Sequence, residues 1–531
     1  MRKAFALCAL VASAIACRPV VEGEPQAATT RVSAPDSAQI SAPPNADSRW
    51  FRAGKPTAQA RQLLAILRDV RPYGLDASEF APLADGVERA MAVGEPAVRI
   101  DDLLNASAET LVAQLHGGRV DPRSVGHELE NRRAPMDLSA MAGRLATETD
   151  VAAVLAQVEP QYEQYRALKR ALARYRELPP LPALAPLSSR VVEPGDPYPD
   201  AGNLRNILGA LEGARFAPPE SASIYDEALS SAVRQFQEHH GLQADGRLGA
   251  RTFAALTRPI EDRVRQVELT LERYRWLPDI RAPAVIVNVP QFMLYTLPTT
   301  TGGSVVRMPV VVGKSAQRTP IFDSAIHSVV FRPYWNVPTS ITRNELLPLI
   351  AKDPGYLDRN EMEIVRGNGA IVALLGTDAA AIAELKAGRA RVRQRPGPQN
   401  ALGLIKFELP NPYDVYLHST PQLELFSRER RAFSHGCVRV SDASALAIYL
   451  LADTPGDWGP DAIEAATCEA AKTSTVRLSR PVPVFVLYVS VVVDRDGAVL
   501  FFDDVYGHDR ELLAMLARRS ARRHALGGEN G

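Results

Sequence analysis

The sequence predicts a multidomain α+β protein: a helical scaffold domain, a small three-helix unit, and a β-rich domain interrupted by a helical cap insertion. Three observations predict it. From Trp50 to about Leu178 apolar residues recur at three- and four-residue spacing, as on amphipathic helices. A proline-dense stretch, "LPPLPALAPLSSRVVEPGDPYPDAGN", then breaks the chain. From about residue 280 the pattern changes to period two, which sends alternate side chains to opposite faces of a strand.

The chain has 531 residues, 46% hydrophobic and 23% charged, a composition that suits roughly two to four globular domains. Lys+Arg and Asp+Glu both total 61. That balance lacks the basic field that nucleic acid or an anionic membrane surface demands, so neither is expected as a partner.

Residues 1–17, "MRKAFALCALVASAIAC", read as a leader: Arg2 and Lys3 precede an apolar core, Ala4 to Ala14, too short to span a bilayer. Ala14-Ile15-Ala16 is an A-x-A cleavage site, and the same residues followed by Cys17 form an imperfect lipobox that would place a lipid on Cys17. The two readings stand side by side, and only the second attaches the protein to a membrane. Either one exports the chain from the cytoplasm of a bacterial cell, to a periplasmic or cell-envelope location. With Cys8 and Cys17 assigned to the leader, Cys437 and Cys468 remain in an oxidising compartment. They either bridge each other or leave a free thiol.

Residues 18–49 are rich in Pro, Ala and Ser and read as a flexible tether. Residues 50–190 form the helical scaffold, in which "LHGGRVDP" is a loop and its His116 a lone, structural histidine. Residues 191–260 form the small unit. In "ALSSAVRQFQEHHGLQADGRLGARTFAAL", Val233, Phe236 and Gln237 fall on a helix that Gly241 ends, Asp245-Gly246 and Gly249 make turns, and Thr252 starts another helix. The F-Q-x-x-x-G-L-x-x-D-G-x-x-G-x-x-T arrangement resembles a three-helix peptidoglycan-binding domain, which implies a binding role without naming a ligand contact.

Residues 261–531 open with an amphipathic helix, "IEDRVRQVELTLERYRWLP", closed by Pro278. Strands are expected at "AVIVNVPQFMLYTL", "RMPVVVGK", "SAIHSVVFRP", "LGLIKFEL", "YDVYLH", "VFVLYVSVVVD" and "AVLFFDDVY", with "DRDG" as a hairpin turn before the last. Between about 340 and 400 the pattern turns helical and charged ("RNELLPLIAKD", "DAAAIAELKAG"), as in a lid inserted over the sheet.

The chemistry concentrates in "YLHSTPQLELFSRERRAFSHGCVRV", which holds His418, His435 and Cys437. A thiol attacks a carbonyl only as thiolate, so a cysteine nucleophile needs a base or cation beside it. His435 is two positions away. His418 ends an apolar strand nineteen positions upstream, and the intervening loop can return the chain to its side. Gly436 lets backbone approach a substrate and aim N–H groups at an oxyanion. Ser441 and Asp442 can cap the next helix, whose Leu446, Tyr449 and Leu450 form an apolar face. Three other readings stay open: Cys437 as packing, a zinc site using His418, His435 and Cys437, and His435 as a local hydrogen-bonding group.

S-H-G-C-V-R with a histidine nearly twenty positions upstream resembles the signature of the L,D-transpeptidases, the YkuD-type cysteine enzymes of bacterial peptidoglycan. "FRPYWNVPTSITRNELLP", "KDPGYLDRN", "RQRPGPQNALGLIKF" and "DDVYGHD" are similar to the large YcbB-type subgroup, with its scaffold, peptidoglycan-binding domain and lid. The resemblance implies Cys437 as nucleophile and His418 as general base, oriented by the carbonyl of Ser419, which stands where related chains often have Asp. It implies that His435, Gly436 and Cys437 form the oxyanion loop and that Arg439 shapes the site or meets a substrate carboxylate, a structural salt bridge being the alternative. Tyr334, Trp335 and Asn336 would line the donor groove, although core packing also accounts for Trp335. Asn400 is a further candidate, unless "GPQNALG" is simply a turn.

The implied reaction is acyl transfer between peptidoglycan stem peptides through a thioester on Cys437, joining third residue to third residue, with no cofactor and no metal. The implied partners are peptidoglycan stem peptides and glycan, with β-lactams of the carbapenem type as covalent inhibitors. Two rivals remain: hydrolysis of the same thioester, and a non-catalytic wall-binding scaffold. The sequence has no S-x-x-K, Walker A or H-E-x-x-H pattern.

Overall fold

The computed structural model describes residues 48–130, 132–187, 191–216, 223–297, 305–373 and 379–528. The expected leader, with both readings of Cys17, lies outside the described residues, as does the expected tether through residue 47. Among the described residues no helix is long and apolar enough to cross a membrane.

The helical half contains α1 (Ala58–Arg68), α2 (Ala77–Ala92), α3 (Ala97–Gly117), α4 (Leu138–Thr147), α5 (Val151–Val158) and α6 (Glu163–Glu177). Short polar residues set several of their starts. Thr57, Asp137 and Asp150 each accept from a backbone N–H three positions on, satisfying donors that a helix start leaves free. Helices α1 to α5 close around Leu63, Leu67, Leu104, Leu111 and Val154, all fully buried.

The small unit is α7 (Ala201–Glu212), α8 (Glu227–His239) and α9 (Ala250–Leu256). Its motif is structural. The buried Gln237 donates through Nε2 to Asp245 Oδ1 (3.0 Å), the Arg247 carbonyl (2.9 Å) and Thr252 Oγ1 (3.0 Å), and its Oε1 accepts from the Gly246 N–H (2.8 Å). Gly246 has φ +72°, and a Cβ there would lie 2.5 Å from Ser230 Oγ. One side chain therefore ties the end of α8 to the turn and to α9.

Helix α10 (Ile260–Trp276) departs from the expected amphipathic pattern: Arg263, Gln266, Glu272 and Arg275 on it are buried. They are tolerated because most of their polar atoms find partners. Glu272 Oε2 accepts from Arg119 and Arg275, both at 3.1 Å, and Gln266 donates to the carbonyls of Ser490 and Phe502. Polar residues here face other domains rather than water.

The β-rich half contains β1 (Ala284–Asn288), β2 (Met293–Leu297), β3 (Arg307–Gly313) and β4 (Ile321–Phe331). After the cap come β9 (Ile405–Glu408), β10 (Leu417–His418), β11 (Ala432–Ser434), β12 (Val438–Val440) and β13 (Ser474–Leu487). The hydrogen-bonded order is β9-β10-β12-β3-β2-β1-β13-β4, and β4 pairs back to β9, so the sheet closes on itself and removes its edges. Most pairs are antiparallel; β10 with β12 and β1 with β13 are parallel. Helix α11 (Ala443–Leu451) follows β12, capped by Asp442, which accepts from the Ala445 N–H at 2.8 Å. Leu446 and Leu450 pack into the barrel core.

The cap, expected to be helical, is mixed. Helical segments lie at Thr339–Lys352, Tyr356–Arg359 and Ala379–Lys386. Beside them β5 (Trp335–Asn336), β6 (Met362–Arg366), β7 (Ile371–Ala373) and β8 (Ala390–Gln394) form an antiparallel sheet ordered β7-β6-β8-β5. "EIVRGNGAIVA" is a hairpin whose turn signal the helical charge pattern on either side obscures. The "DRDG" hairpin, β14 (Val491–Val493) with β15 (Val499–Phe501), forms where expected but leaves the barrel, packing its valines and Phe501 into the core of α6 to α10. Helix α12 (His508–Gly528) ends the described chain.

Replacing Gln237 with Leu removes four hydrogen bonds around a buried turn. It is expected to destabilise the small unit by about 2 kcal/mol or more, since unsatisfied buried groups cost about 1–3 kcal/mol each. Thermal unfolding of the full chain should show a lowered first transition, and an unchanged melt would contradict the role given to Gln237.

Candidate active site

The parallel pairing of β10 and β12 aligns Leu417 with Val438 and His418 with Arg439. The Val438 N–H bonds to the Tyr416 carbonyl at 3.1 Å, continuing the ladder one step toward Cys437. Because side chains alternate along strands, Tyr416, His418, Cys437 and Arg439 share one face. Lys406 joins them from β9, directly opposite His418.

His418 is 4% exposed, and its Nδ1 lies 2.5 Å from the Ser419 carbonyl. A carbonyl only accepts, so Nδ1 carries the proton and Nε2 keeps its lone pair. Burial, reinforced by the nearby charges of Arg439 and Lys406, lowers the imidazole pKa to about 3. Ser419 Oγ meanwhile accepts from the Ile405 N–H (3.0 Å) and donates to the Leu402 carbonyl (3.1 Å), fixing the segment that holds the ring.

The half-buried Cys437 is a free thiol, as is the exposed Cys468, so the two are not bridged. Burial raises the Cys437 pKa above its ordinary value, against a smaller lowering by Tyr416, Lys406 and Arg439. The sulfur donates to the Asp414 carbonyl at 3.7 Å, and Tyr416 lies near enough to lower the thiol pKa. No hydrogen bond joins Cys437 to His418. The two sit on neighbouring strands, offset by two residues, which puts their Cα atoms about 8 Å apart at ordinary strand spacing.

Gly436 has φ +121°, a conformation that favours glycine. Its N–H donates to Ser434 Oγ (3.1 Å), and its carbonyl accepts from Thr319 Oγ1 (2.8 Å). Thr319 is held in turn by Tyr506, whose hydroxyl accepts from the Thr319 N–H and donates to the Gly313 carbonyl. The expected "DDVYGHD" segment thus supports the cysteine loop from behind.

The other sequence candidates divide. Trp335 comes near the site: it lies close enough to Tyr416 to lower the phenol's pKa slightly, against the larger rise from burial. His435 Nε2 turns instead to Glu345 Oε1 on the cap, 2.6 Å away. Arg439 donates to Gln422 Oε1 at 2.6 Å rather than to a carboxylate. Tyr334, just before β5, is 40% exposed under the guanidinium of Arg393, and Asn336 is exposed on β5. Asn400 does not face a groove. It is 0% exposed, and its amide donates to the carbonyls of Pro333 and Arg395 and accepts from the Leu402 N–H, so it holds the turn between cap and barrel. His418 and His435 thus point to different partners, and among the described residues no group of three or more His, Cys, Asp or Glu is placed to hold a metal ion.

Tyr416 and Asp414 were not among the sequence candidates. Period two from His418 along the same strand was the available signal for Tyr416. Asp414 acts through its carbonyl, in a turn where its φ of +55° is unusual for a residue other than glycine, and no side-chain pattern reports that.

Residues 282–475 match the family model of the L,D-transpeptidase catalytic domain (YkuD), residues 43–172 that of a scaffold domain, and residues 201–256 that described as "Putative peptidoglycan binding domain". A curated protein of Haemophilus influenzae described as "Putative L,D-transpeptidase" is 32% identical over 247 residues, 46% of this chain and 48% of that protein. The match spans about half the length of that relative. A crystal structure of an L,D-transpeptidase (Yku) from Stackebrandtia nassauensis aligns with 57% of this chain and 97% of its own at 12% identity, with a TM-score of 0.23, too low to bear on the fold.

With burial pushing the thiol above its ordinary value and the neighbouring imidazole neutral, Cys437 is expected to be a thiol near neutral pH. Alkylation of the Cys437 peptide by iodoacetamide, followed by mass spectrometry, should accelerate with rising pH through about 9. A rate already at plateau below about pH 7 would contradict this protonation state.

Proposed function

From the premise that this chain carries a YkuD-type L,D-transpeptidase catalytic domain beside a peptidoglycan-binding domain, we propose that it transfers acyl groups between peptidoglycan stem peptides in the cell envelope. The observation that most supports this is the buried, neutral His418, its Nδ1–H fixed on the Ser419 carbonyl, beside the strand that directly follows Cys437.

In the proposed reaction a tetrapeptide stem enters with its third residue, a diamino acid, at Cys437. The S–H proton passes to His418 Nε2 as sulfur attacks the carbonyl. The oxyanion is met by backbone amides of the 435–437 loop. The Gly436 N–H is already engaged by Ser434, which leaves the amides of His435 and Cys437 for that role. Collapse breaks the peptide bond, and the imidazolium returns the proton to the departing terminal D-alanine amine. The side-chain amine of an acceptor stem then attacks the thioester, His418 takes its proton, and the thiol is restored as the third-residue to third-residue amide forms.

The distance between His418 and Cys437 in the free protein closes when substrate displaces the thiol from the Asp414 carbonyl; catalytic hydrogen bonds commonly tighten only in the substrate complex. Trp335 and Asn336 on β5, with Tyr334 just before it, border the donor. Arg439 meets a stem carboxylate by exchanging its present partner Gln422. Carbapenems would acylate the same thiol, and lipid on Cys17 would anchor the chain.

Intact-mass analysis with tetrapeptide stems tests the proposal. The wild type is expected to show a thioester adduct and cross-linked dimers, Cys437→Ala neither, and His418→Ala a loss of about 10²–10⁴-fold in rate. Cross-links made by Cys437→Ala would overturn the proposal, and free tripeptide as the only product would replace transfer with hydrolysis.

A further inference from the structure

A cleft of about 410 Å³ separates the three-helix unit from the barrel. One wall is the loop 241–244 after α8; the other is the turn 290–293 between β1 and β2 together with the segment 427–431, which leads directly into β11 and the cysteine loop. Phe292 and Phe502 contribute apolar surface.

Arginines dominate the lining. Arg251 is neutralised by Glu429 and Asp503. Arg307, Arg428, Arg430 and Arg431 also line the cleft, and among the described residues none of them has a carboxylate within ion-pair distance. Arg430 bonds to Ser315 Oγ (3.1 Å), and Arg307 lies over the Tyr295 ring. Arg431 donates to the carbonyls of Gln291 and Phe292 while its Nε is buried without a partner. Glu238 is the remaining carboxylate on the wall, so five arginines face three acids, a net charge of +2.

Single exposed arginines are ordinary solvated side chains. Four arginines without an ion-paired carboxylate along one concave surface leave a net positive charge there, and the cavity walls concentrate its field. Their planar forks match carboxylates. A peptidoglycan stem peptide carries several carboxylates, and Arg431 is only six residues from Cys437, a reach of at most about 20 Å of extended chain.

We propose that this cleft binds the carboxylates of the acceptor stem peptide, as a second substrate subsite built jointly by the small helical unit and the barrel. The proposal rests on the reading of this chain as acting on peptidoglycan. It assigns the segment 427–431 a binding role that the Cys437 chemistry does not use.

The test is calorimetric titration of the full chain with the tripeptide L-Ala-γ-D-Glu-diaminopimelate, which has no terminal D-alanine to expel, and with its fully amidated analogue. The tripeptide should bind more weakly as salt rises, and the analogue about tenfold or more weakly. The triple variant Arg307→Ala/Arg428→Ala/Arg430→Ala should lose a similar factor, while the corresponding triple Lys variant, which keeps the charge but not the planar forks, should bind with intermediate affinity. The proposal fails if the tripeptide does not bind the wild type, if amidation leaves affinity unchanged, or if the folded alanine variant binds as tightly as the wild type. Arginine-dependent binding without any thioester on Cys437 would keep the cleft and remove the transfer reaction; a thioester with arginine-independent binding would do the reverse.

Discussion

The active-site arrangement depends on the parallel register of two very short strands. Leu417–His418 and Val438–Val440 are joined by a nineteen-residue excursion, yet their backbones align so that His418 lies beside Arg439 and Tyr416 beside the start of the cysteine strand. Side chains of a strand alternate, so a slip of one residue would turn His418 into the core and leave Leu417 facing the thiol. The closed barrel prevents that slip, because β10 and β12 are each pinned on their other edges by β9 and β3. Thr319 and Tyr506 hold the loop between them from below.

Within that frame the electrostatics favour a neutral pair over a preformed ion pair. His418 is buried between Lys406 and Arg439, so it is held neutral, and burial also keeps the Cys437 thiol protonated. The same two cations slightly favour thiolate, and so would the hydroxyl of Tyr416. A site of this kind needs proton transfer coupled to attack, with reactivity gated by substrate rather than displayed by the free protein. The cap bears on this gate through the contact of Glu345 with His435.

Much of this was legible in the sequence because it is written in side-chain periodicity. The switch from period 3.6 to period two, the Asp442 cap and the spacing of His418 and Cys437 all correspond to observed elements. What sequence reading missed depends on tertiary partners or on backbone atoms. The polar residues of α10 look solvent-facing until Arg119 and the carbonyls of Ser490 and Phe502 are placed beside them. Asn400 looks like a ligand contact until its amide is seen holding Pro333 and Arg395. Gly436 is a loop glycine in sequence, but only the coordinates show its N–H turned to Ser434.

The protonation state of His418 tests the account most directly. Nitrogen-15 NMR of the full chain, with the His418 ring assigned through His418→Gln, should show a neutral Nδ1–H tautomer throughout about pH 5 to pH 8. An imidazolium in that range, or a proton on Nε2, would leave His418 no free Nε2 lone pair to accept the thiol proton and would contradict the account.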